Sequence, residues 1–356
     1  MKRLSNQASK PRVTVLMPVY NCRQYAARAV SSILAQTFRD FELLIIDDGS
    51  NDGTAEQLGL IADQRIRIVE NGTNIGVAGS LNRGIDMAQG EYVARMDADD
   101  ISLPDRLAKQ VRFMDENPRI GISGGWIRYF GNGLPYTLRV PQTHDEIASY
   151  MVFENPICHV AVVMRKKTLD DNLLRYDEKF SRSEDYEFWT RCIARFEIAN
   201  LPQILVKARR NRNSATLSHW EEVTWQTEKI LNRMLKKLGL NPSPEEVAFH
   251  SRIGRGYRLN TMQEVVCAEQ WLLKIRNRNR DQAKFKLNAF DREIGRVWFR
   301  SCANSTPIGL CIWKKWRGST LSRPYAPRKE EMARFVASIV WHRLKKPFQK
   351  KGALAA

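Results

Sequence analysis

An α/β architecture, with a mostly parallel sheet covered by helices on both faces and an α-helical C-terminal extension, follows from three features of the sequence. Over the first 125 residues, short and nearly continuous apolar runs alternate with amphipathic stretches. Beyond about residue 215 the strand patterns stop and helical periodicity takes over. Charge divides in a similar place: residues 1–200 hold 25 Lys and Arg against 27 Asp and Glu, whereas residues 201–356 hold 32 against 12.

The elements can be justified in order. Val13-Thr-Val-Leu-Met17 reads as a buried strand ended by Pro18, residues 25–35 as a helix, and Phe41-Glu-Leu-Leu-Ile-Ile46 as a second strand running into Asp47-Asp48-Gly49-Ser50. A helix over 54–62, a strand at Ile66-Arg-Ile-Val69 and a helix over 76–88 follow. Tyr92-Val-Ala-Arg-Met96 makes a fourth strand that ends in Asp97-Ala98-Asp99-Asp100. Pro104 opens the next helix, Asn117-Pro118 closes it, and a strand begins at Ile120 and reaches Ser123. Residues 126–210 show short strands, a Thr143-His-Asp-Glu146 capping box and an acidic helix start at Glu184-Asp185. Helices are then expected over 221–238, 244–250, 262–276 and 281–301, broken at Gly239-Leu240-Asn241-Pro242 and at 277–279. Over 329–346, Met332, Phe335, Val336, Ile339, Val340 and Leu344 share one helical face.

The chain has 356 residues and no run of eighteen apolar ones, so no helix is expected to span a bilayer. Residues 1–12 form a polar, basic tail without the apolar stretch of a signal peptide. Six scattered cysteines without a C-x-x-C pair, and five histidines without zinc spacing, predict reduced thiols in a cytoplasmic setting. With 57 Lys and Arg against 39 Asp and Glu, the net charge is +18. Its concentration in the C-terminal part points to a polyanionic partner, either nucleic acid or an anionic membrane face.

Alone, Asp47-Asp48-Gly49-Ser50-Asn51-Asp52-Gly53-Thr54 has the composition of a turn. A calcium loop is excluded, because Gly59 stands where its bidentate Glu is required. The placement of two acidic clusters at the ends of two parallel strands carries more weight. Ligands of such sheets sit beyond the carboxyl ends of the strands. Several carboxylates converging there repel one another unless a cation neutralises them. A hard divalent cation completed by waters and phosphate oxygens satisfies the arrangement, which implies a metal-bound nucleotide diphosphate.

The chain over about 12–215 resembles the inverting family 2 glycosyltransferases of GT-A fold. The resemblance is carried by Val15-Leu-Met-Pro-Val-Tyr-Asn21, Ser32-Ile-Leu-Ala-Gln-Thr-Phe38, Phe41-Glu-Leu-Leu-Ile-Ile-Asp-Asp-Gly-Ser50, Asn74-Ile-Gly76, Asn82-Arg-Gly84, Gly90-Glu-Tyr-Val-Ala-Arg-Met-Asp-Ala-Asp-Asp100, Leu103-Pro-Asp-Arg106 and Glu184-Asp185. It implies that Pro18, Tyr20, Asp48, Asn74, Gly76 and Asp97 bind the nucleotide sugar, with Asp48 accepting from the uracil ring nitrogen. It also implies that Asp99 of the D-x-D element holds Mg²⁺ or Mn²⁺, that Asp185 is the catalytic base, and that His159 and Glu184 lie on the acceptor side. Arg209-Arg-Asn-Arg-Asn-Ser-Ala-Thr216 resembles the family's basic loop closing the donor site.

Three rival classes fit the sequence less well. A dinucleotide-dependent oxidoreductase needs a Gly-rich turn after the first strand, where Pro18-Val-Tyr-Asn-Cys22 stands instead. A nucleic-acid binder fits the basic C-terminal part, yet no recognition motif accompanies it and the acidic crevice repels DNA, so no nucleic acid is expected. A membrane-docking scaffold without activity leaves the intact acidic motifs unexplained. The expected organisation is a GT-A domain over 13–215, nucleotide-binding to about 125 and acceptor-binding after it, then a basic helical region over 216–356. The expected partners are a UDP-sugar, a glycan or lipid-linked acceptor of cell-surface polysaccharide or lipopolysaccharide synthesis, and the anionic inner face of the membrane. The tail over 329–346, flanked by Arg334, Arg343, Lys345 and Lys346 with Trp341, and the stretch Trp313-Lys-Lys-Trp-Arg317 are the expected membrane contacts.

Overall fold

The structure, a computed structural model, describes residues 10–210 and 219–352, with side chains to residue 342. Most of the tail expected over 1–12, most of the basic loop over 209–216, and the side chains of Arg343, Leu344, Lys345 and Lys346 lie outside the described residues. The chain divides into two compact units: residues 1–147 with 155–226, and residues 148–154 with 227–356.

Among the described residues, the first unit is built on a nine-stranded sheet. Its first half is the expected alternation: β1 (Val13–Val19), α1 (Ala26–Leu34), β2 (Phe41–Asp47), α2 (Thr54–Gly59), β3 (Ile66–Glu70), α3 (Gly76–Met87) and β4 (Tyr92–Arg95). β1 and β2 are buried on both faces, the condition that makes their sequences continuously apolar. β1 pairs in parallel with β2 on one side and β4 on the other, so the chain reverses its direction of winding beside β1. The carboxyl ends of β1, β2 and β4 therefore flank the crevice where an open α/β sheet binds ligands.

The second half adds β5 (Ile101–Ser102), α4 (Arg106–Glu116), β6 (Ile120–Gly131), β7 (Tyr136–Leu138), α5 (His144–Tyr150), β8 (Val163–Arg165), α6 (Lys166–Asp171), α7 (Glu184–Cys192) and β9 (Glu197–Arg210). The sheet becomes mixed here: β8 lies antiparallel to both β4 and β6, β5 is antiparallel to β9, and β7 to β6, while β6 and β9 run parallel. β6 is much longer than the segment 120–123 expected for it. Gly124-Gly125 does not break it, because those positions face the partner strand at close range; a Cβ on Gly124 would sit 2.1 Å from Asn200 Oδ1.

α8 (Trp220–Lys237) carries the chain from the first unit into the second, which continues with α9 (Pro244–Gly254), α10 (Met262–Gln282), α11 (Leu287–Asn304), α12 (Cys311–Gly318) and α13 (Lys329–Gly352). Ser243 and Glu246 close a capping box at the start of α9, and Thr261 and Glu264 do so for α10. The break expected at 277–279 falls later, at 283–286. Asn279 is buried, donates to Phe285 O (3.1 Å) and accepts from Phe285 N (2.9 Å), so it stays helical and ties down the turn that follows.

The tail stripe divides. Phe335 (1% exposed) and Ile339 (5%) are buried, and Phe335 rings meet Phe299, Trp313 and Trp316 at 5.5–5.8 Å. Of the two tryptophans of 313–317, Trp316 is buried in this unit and Trp313 is half-buried beside it. Val336, Val340 and Trp341 are exposed. Among the described residues no helix is long and apolar enough to cross a membrane.

His250 makes this unit acid-sensitive. It is fully buried, its Nε2 lies 2.8 Å from Val152 O, and its Nδ1 accepts from Trp271 Nε1 (3.1 Å). Protonation at Nδ1 would remove the acceptor, and burial holds the pKa down to about 4 against an ordinary 6.5. Since the unfolded chain takes up the proton first, stability is expected to fall by up to about 3 kcal/mol as pH drops through that window. Thermal unfolding between neutral pH and about pH 4.5 checks this: the loss should shrink in His250→Gln, and an equal loss in both proteins would assign the effect to other groups.

Candidate active site

At the ends of β1 and β2 the acidic turn is held by its own backbone. Asp47 Oδ1 accepts from Ser50 N (3.0 Å) and Ser50 Oγ (2.6 Å). Asp48 is buried and accepts three N–H groups, from Asn71 Nδ2 (2.7 Å), Ile75 N (2.9 Å) and Gly76 N (2.9 Å). It therefore clasps the loop that enters α3, with capacity left for about one further donor. Gly76 has φ +82°, a conformation that a side chain disfavours and that turns its N–H toward Asp48. Asn74 is exposed on this loop, Pro18 is half-buried, and Tyr20 is 50% exposed beside the turn.

The end of β4 carries the second cluster. Oxygen atoms of Asp97, Asp99 and Asp100 lie within 4.8 Å of one another. Crowding and burial show in their electrostatics. Asp99 is pushed up to about 6 by burial and by Asp97, and Asp100 well above the carboxylate range by burial, Asp97 and Asp99. Arg209 locks this turn to β9: its N–H donates to Asp100 Oδ1 (2.6 Å) and its Nε to Asp99 O (3.1 Å). Its guanidinium sits over the rings of Tyr25 and Phe130, at 4.2 and 4.6 Å. Cys22 stands between the clusters: its N–H donates to Thr54 Oγ1 (2.9 Å), and its thiol is pushed up to about 12 by burial and by the charges of Asp99 and Asp97.

A third group stands at the start of α7. Asp185 accepts from Asn155 Nδ2 (2.8 Å) and from Tyr186 N (2.6 Å), so both its oxygens are oriented. Glu184 beside it is pushed up to about 8 by burial and by Asp185, and Asp185 is itself raised by burial. His159 Nε2 lies 2.9 Å from Tyr176 Oη, and its Nδ1 is 3.9 Å from Glu184 Oε1. Burial keeps His159 well below its ordinary pKa, so it meets Glu184 as a neutral ring. Asn82 grips the Tyr176 backbone at both N (2.8 Å) and O (3.0 Å), fixing the segment before α7.

The site residues expected from sequence thus fall into three groups: Pro18, Tyr20, Asp48, Asn74 and Gly76; Asp97 and Asp99; and His159, Glu184 and Asp185. Arg95 links the last two. It is 5% exposed, its Nη2 is 2.5 Å from Asp97 Oδ1, and its charge acts on Glu184, Asp185 and His159. Arg95, Asp100, Asn155 and Tyr176 were not singled out from the sequence. Arg95 did leave a signal, as a cation inside an otherwise apolar strand; Asn155 left none, because its partner is thirty positions away.

Residues 14–174 match the model of glycosyl transferase family 2. An uncharacterized glycosyltransferase of Haemophilus influenzae is 32% identical over 247 residues, covering 65% of this chain and 76% of that protein. The chain belongs to glycosyltransferase family 2. A second relative, the amylovoran biosynthesis glycosyltransferase AmsE of Erwinia amylovora, is 30% identical over 206 residues, covering 55% of this family member and 75% of AmsE. Among solved structures, S. aureus TarS 1–349 in complex with UDP-GlcNAc aligns with a TM-score of 0.55 at 17% identity, covering 94% of this chain and 92% of that one. The mannosyltransferase PcManGT of Pyrobaculum calidifontis, in complex with GDP-Man and Mn²⁺, aligns at 0.50 and 17%, covering 95% and 89%. At these identities the structures establish the shared GT-A-type fold of the glycosyltransferase, and no more.

Proposed function

We propose that this glycosyltransferase moves a sugar from a UDP-sugar to a glycan or lipid-linked acceptor with inversion, in the synthesis of a cell-surface polysaccharide or lipopolysaccharide. The observation that carries the reading is the pairing of a three-carboxylate cluster with a separate, hydrogen-bonded carboxylate, Asp185, under the influence of one buried cation. The polysaccharide assignment is supported by the AmsE likeness, and a nucleotide-sugar donor by the ligands of the two solved structures.

The residues supply the chemistry in this way. Asp185, held by Asn155 and Tyr186 N–H, takes the proton of the attacking hydroxyl. The hydroxyl oxygen bonds to the anomeric carbon from one face as the bond to the diphosphate oxygen breaks on the other, which inverts the centre. Asp48 and the 74–76 loop, with Pro18 and Tyr20, hold the base and ribose end of the donor, and Asp97 its ribose and diphosphate. Asp97, Asp99 and Asp100 suit a hard divalent cation: three carboxylates at ligand spacing with an all-oxygen donor set. Asp99, with Asp97 and Asp100 beside it, would hold Mg²⁺ or Mn²⁺, and such an ion would supply Lewis-acid stabilisation of the charge on the departing diphosphate. His159 and Glu184 border the acceptor.

Thermal-shift measurements with UDP-, GDP-, CDP- and dTDP-sugars, with and without Mn²⁺, test the donor side. Stabilisation by a UDP-sugar that deepens with Mn²⁺ is expected; no shift with any of them removes the basis of the reading.

The reading places the protein in the cytoplasm, peripherally associated with the inner face of the membrane. The exposed Val336, Val340 and Trp341 beside Arg334 support it, as does the cationic C-terminal part. Vesicles containing phosphatidylglycerol should retain the protein better than neutral ones, and Val340→Asp with Trp341→Asp should reduce that retention. Equal retention on both vesicle types counts against membrane docking.

A further inference from the structure

We propose, resting on the reading of Asp185 as the base, that the start of α8 sets where that base stands. Gln226 and Glu222 are positioning residues: they clamp Ser181 and Arg182 and so fix the entry of α7, whose second residue is Asp185. Residues 155–226 all belong to the first unit, and both helices lie beyond residue 174, where the match to the family model ends. Gln226 heads a stripe at spacing four with Ile230 (1% exposed) and Met234 (2%), and is itself only 2% exposed. An apolar residue would suit that position if packing were its whole purpose, because a buried amide has to find hydrogen-bond partners. Both ends of the Gln226 amide find them on one loop. Its Oε1 accepts from Arg182 N (2.9 Å), and its Nε2 donates to Ser181 Oγ (3.2 Å) and to Glu222 Oε1 (3.2 Å). Glu222, one turn earlier, closes the ring: Oε1 accepts from Ser181 Oγ (2.6 Å), and Oε2 lies 3.6 Å from Arg182 Nε.

The entry of α7 needs such a hold. Residues 172–183 form neither strand nor helix, and Ser183 gives α7 no side-chain cap. A first turn without a cap leaves N–H groups unsatisfied and opens readily. Ser183 follows the clamped Arg182 directly, and its carbonyl accepts from Glu187 N (3.0 Å) to begin the helix. Fixing the backbone at 182 therefore fixes the first turn, and Asp185 with it. Two other grips act elsewhere: Asn155 on the Asp185 carboxylate, and Asn82 on the Tyr176 backbone. Neither reaches 181–182, so the loop between Tyr176 and α7 is tied at its far end by α8. A base must stand within hydrogen-bond reach of the proton it takes, and a displacement of about 1 Å can cost up to about 10²-fold in rate.

The test reads local order and rate separately, on the full chain, in Gln226→Met, Ser181→Ala, Glu222→Ala and Glu222→Gln. Ser181 is exposed, so its variant keeps the core intact if Gln226→Met fails to fold. Hydrogen exchange followed by mass spectrometry should quicken over residues 181–186 in the Met and Ala variants and stay unchanged in β1 and β2; this arm needs no donor. Unchanged exchange over 181–186 in the folded variants overturns the proposal. UDP release from the UDP-sugar that stabilises the protein, with Mn²⁺ present, reads the rate. In Gln226→Met, kcat should fall about 10- to 100-fold, by the same factor at every pH, with KM for the UDP-sugar unchanged. Glu222→Gln keeps the accepting oxygen and should restore most of what Glu222→Ala loses. Added to Asp185→Asn, Gln226→Met should cost no further factor, since no base remains to be misplaced. If Asp185→Asn is slow but the clamp variants keep the wild-type kcat despite quickened exchange, the positioning role is overturned. If exchange quickens and Asp185→Asn releases UDP at the wild-type rate, the base reading fails and the hold of α8 on α7 stands.

Discussion

Asp185→Asn is expected to retain UDP-sugar binding and to lose transfer by about 10²–10⁴-fold, the range for removing a general base. The substitution keeps the size of the side chain and leaves one oxygen, which can accept from either Asn155 Nδ2 or the Tyr186 N–H. It removes the capacity to accept a proton from the acceptor hydroxyl. A sugar hydroxyl is a weak nucleophile at neutral pH, so that loss falls on the chemical step and leaves donor affinity in place. Product formation measured alongside calorimetric UDP binding separates the two. A matching drop in UDP affinity would reassign Asp185 to binding or to folding.

Asp99→Asn is expected to abolish detectable transfer while leaving the unfolding temperature near that of wild type. Asp97, Asp99 and Asp100 crowd one turn, and burial with mutual repulsion raises Asp99 to about 6 and Asp100 well above its ordinary range. A divalent cation bound there would relieve that repulsion, so removing one carboxylate should weaken its binding while Asn keeps the size of the side chain. EDTA should reproduce the loss in wild type, and Mn²⁺ or Mg²⁺ should reverse it. Full activity in EDTA would overturn the metal role, and a large drop in unfolding temperature for Asp99→Asn would make the residue structural.

The sequence by itself determined the elements whose patterns answer to local rules. β1 and β2 are continuously apolar because a parallel strand covered on both faces has no wet side, so residues 13–17 and 41–46 read as strands, which the structure carries through Pro18 to Val19 and on to Asp47. The capping box at Thr143 is legible because Glu146 stands three positions on. Asp97, Asp99 and Asp100 are neighbours in the chain, so a shared turn brings their oxygens together whatever surrounds it. Tertiary structure alone decided the rest, because the deciding partner lies far along the chain. Residues 124–125 continue β6, since β9 approaches them closely. The apolar stripe of the tail gives Phe335 and Ile339 to a core and leaves Val336, Val340 and Trp341 outside, a division that helical periodicity cannot make. Asn155 meets Asp185, and the charge of Arg95 reaches Glu184, only after β4, the 159–161 turn and α7 have packed. Periodicity and spacing record which face of an element is apolar, but a hydrogen bond or an ion pair across the fold is fixed by packing, and the chain carries no local mark of it.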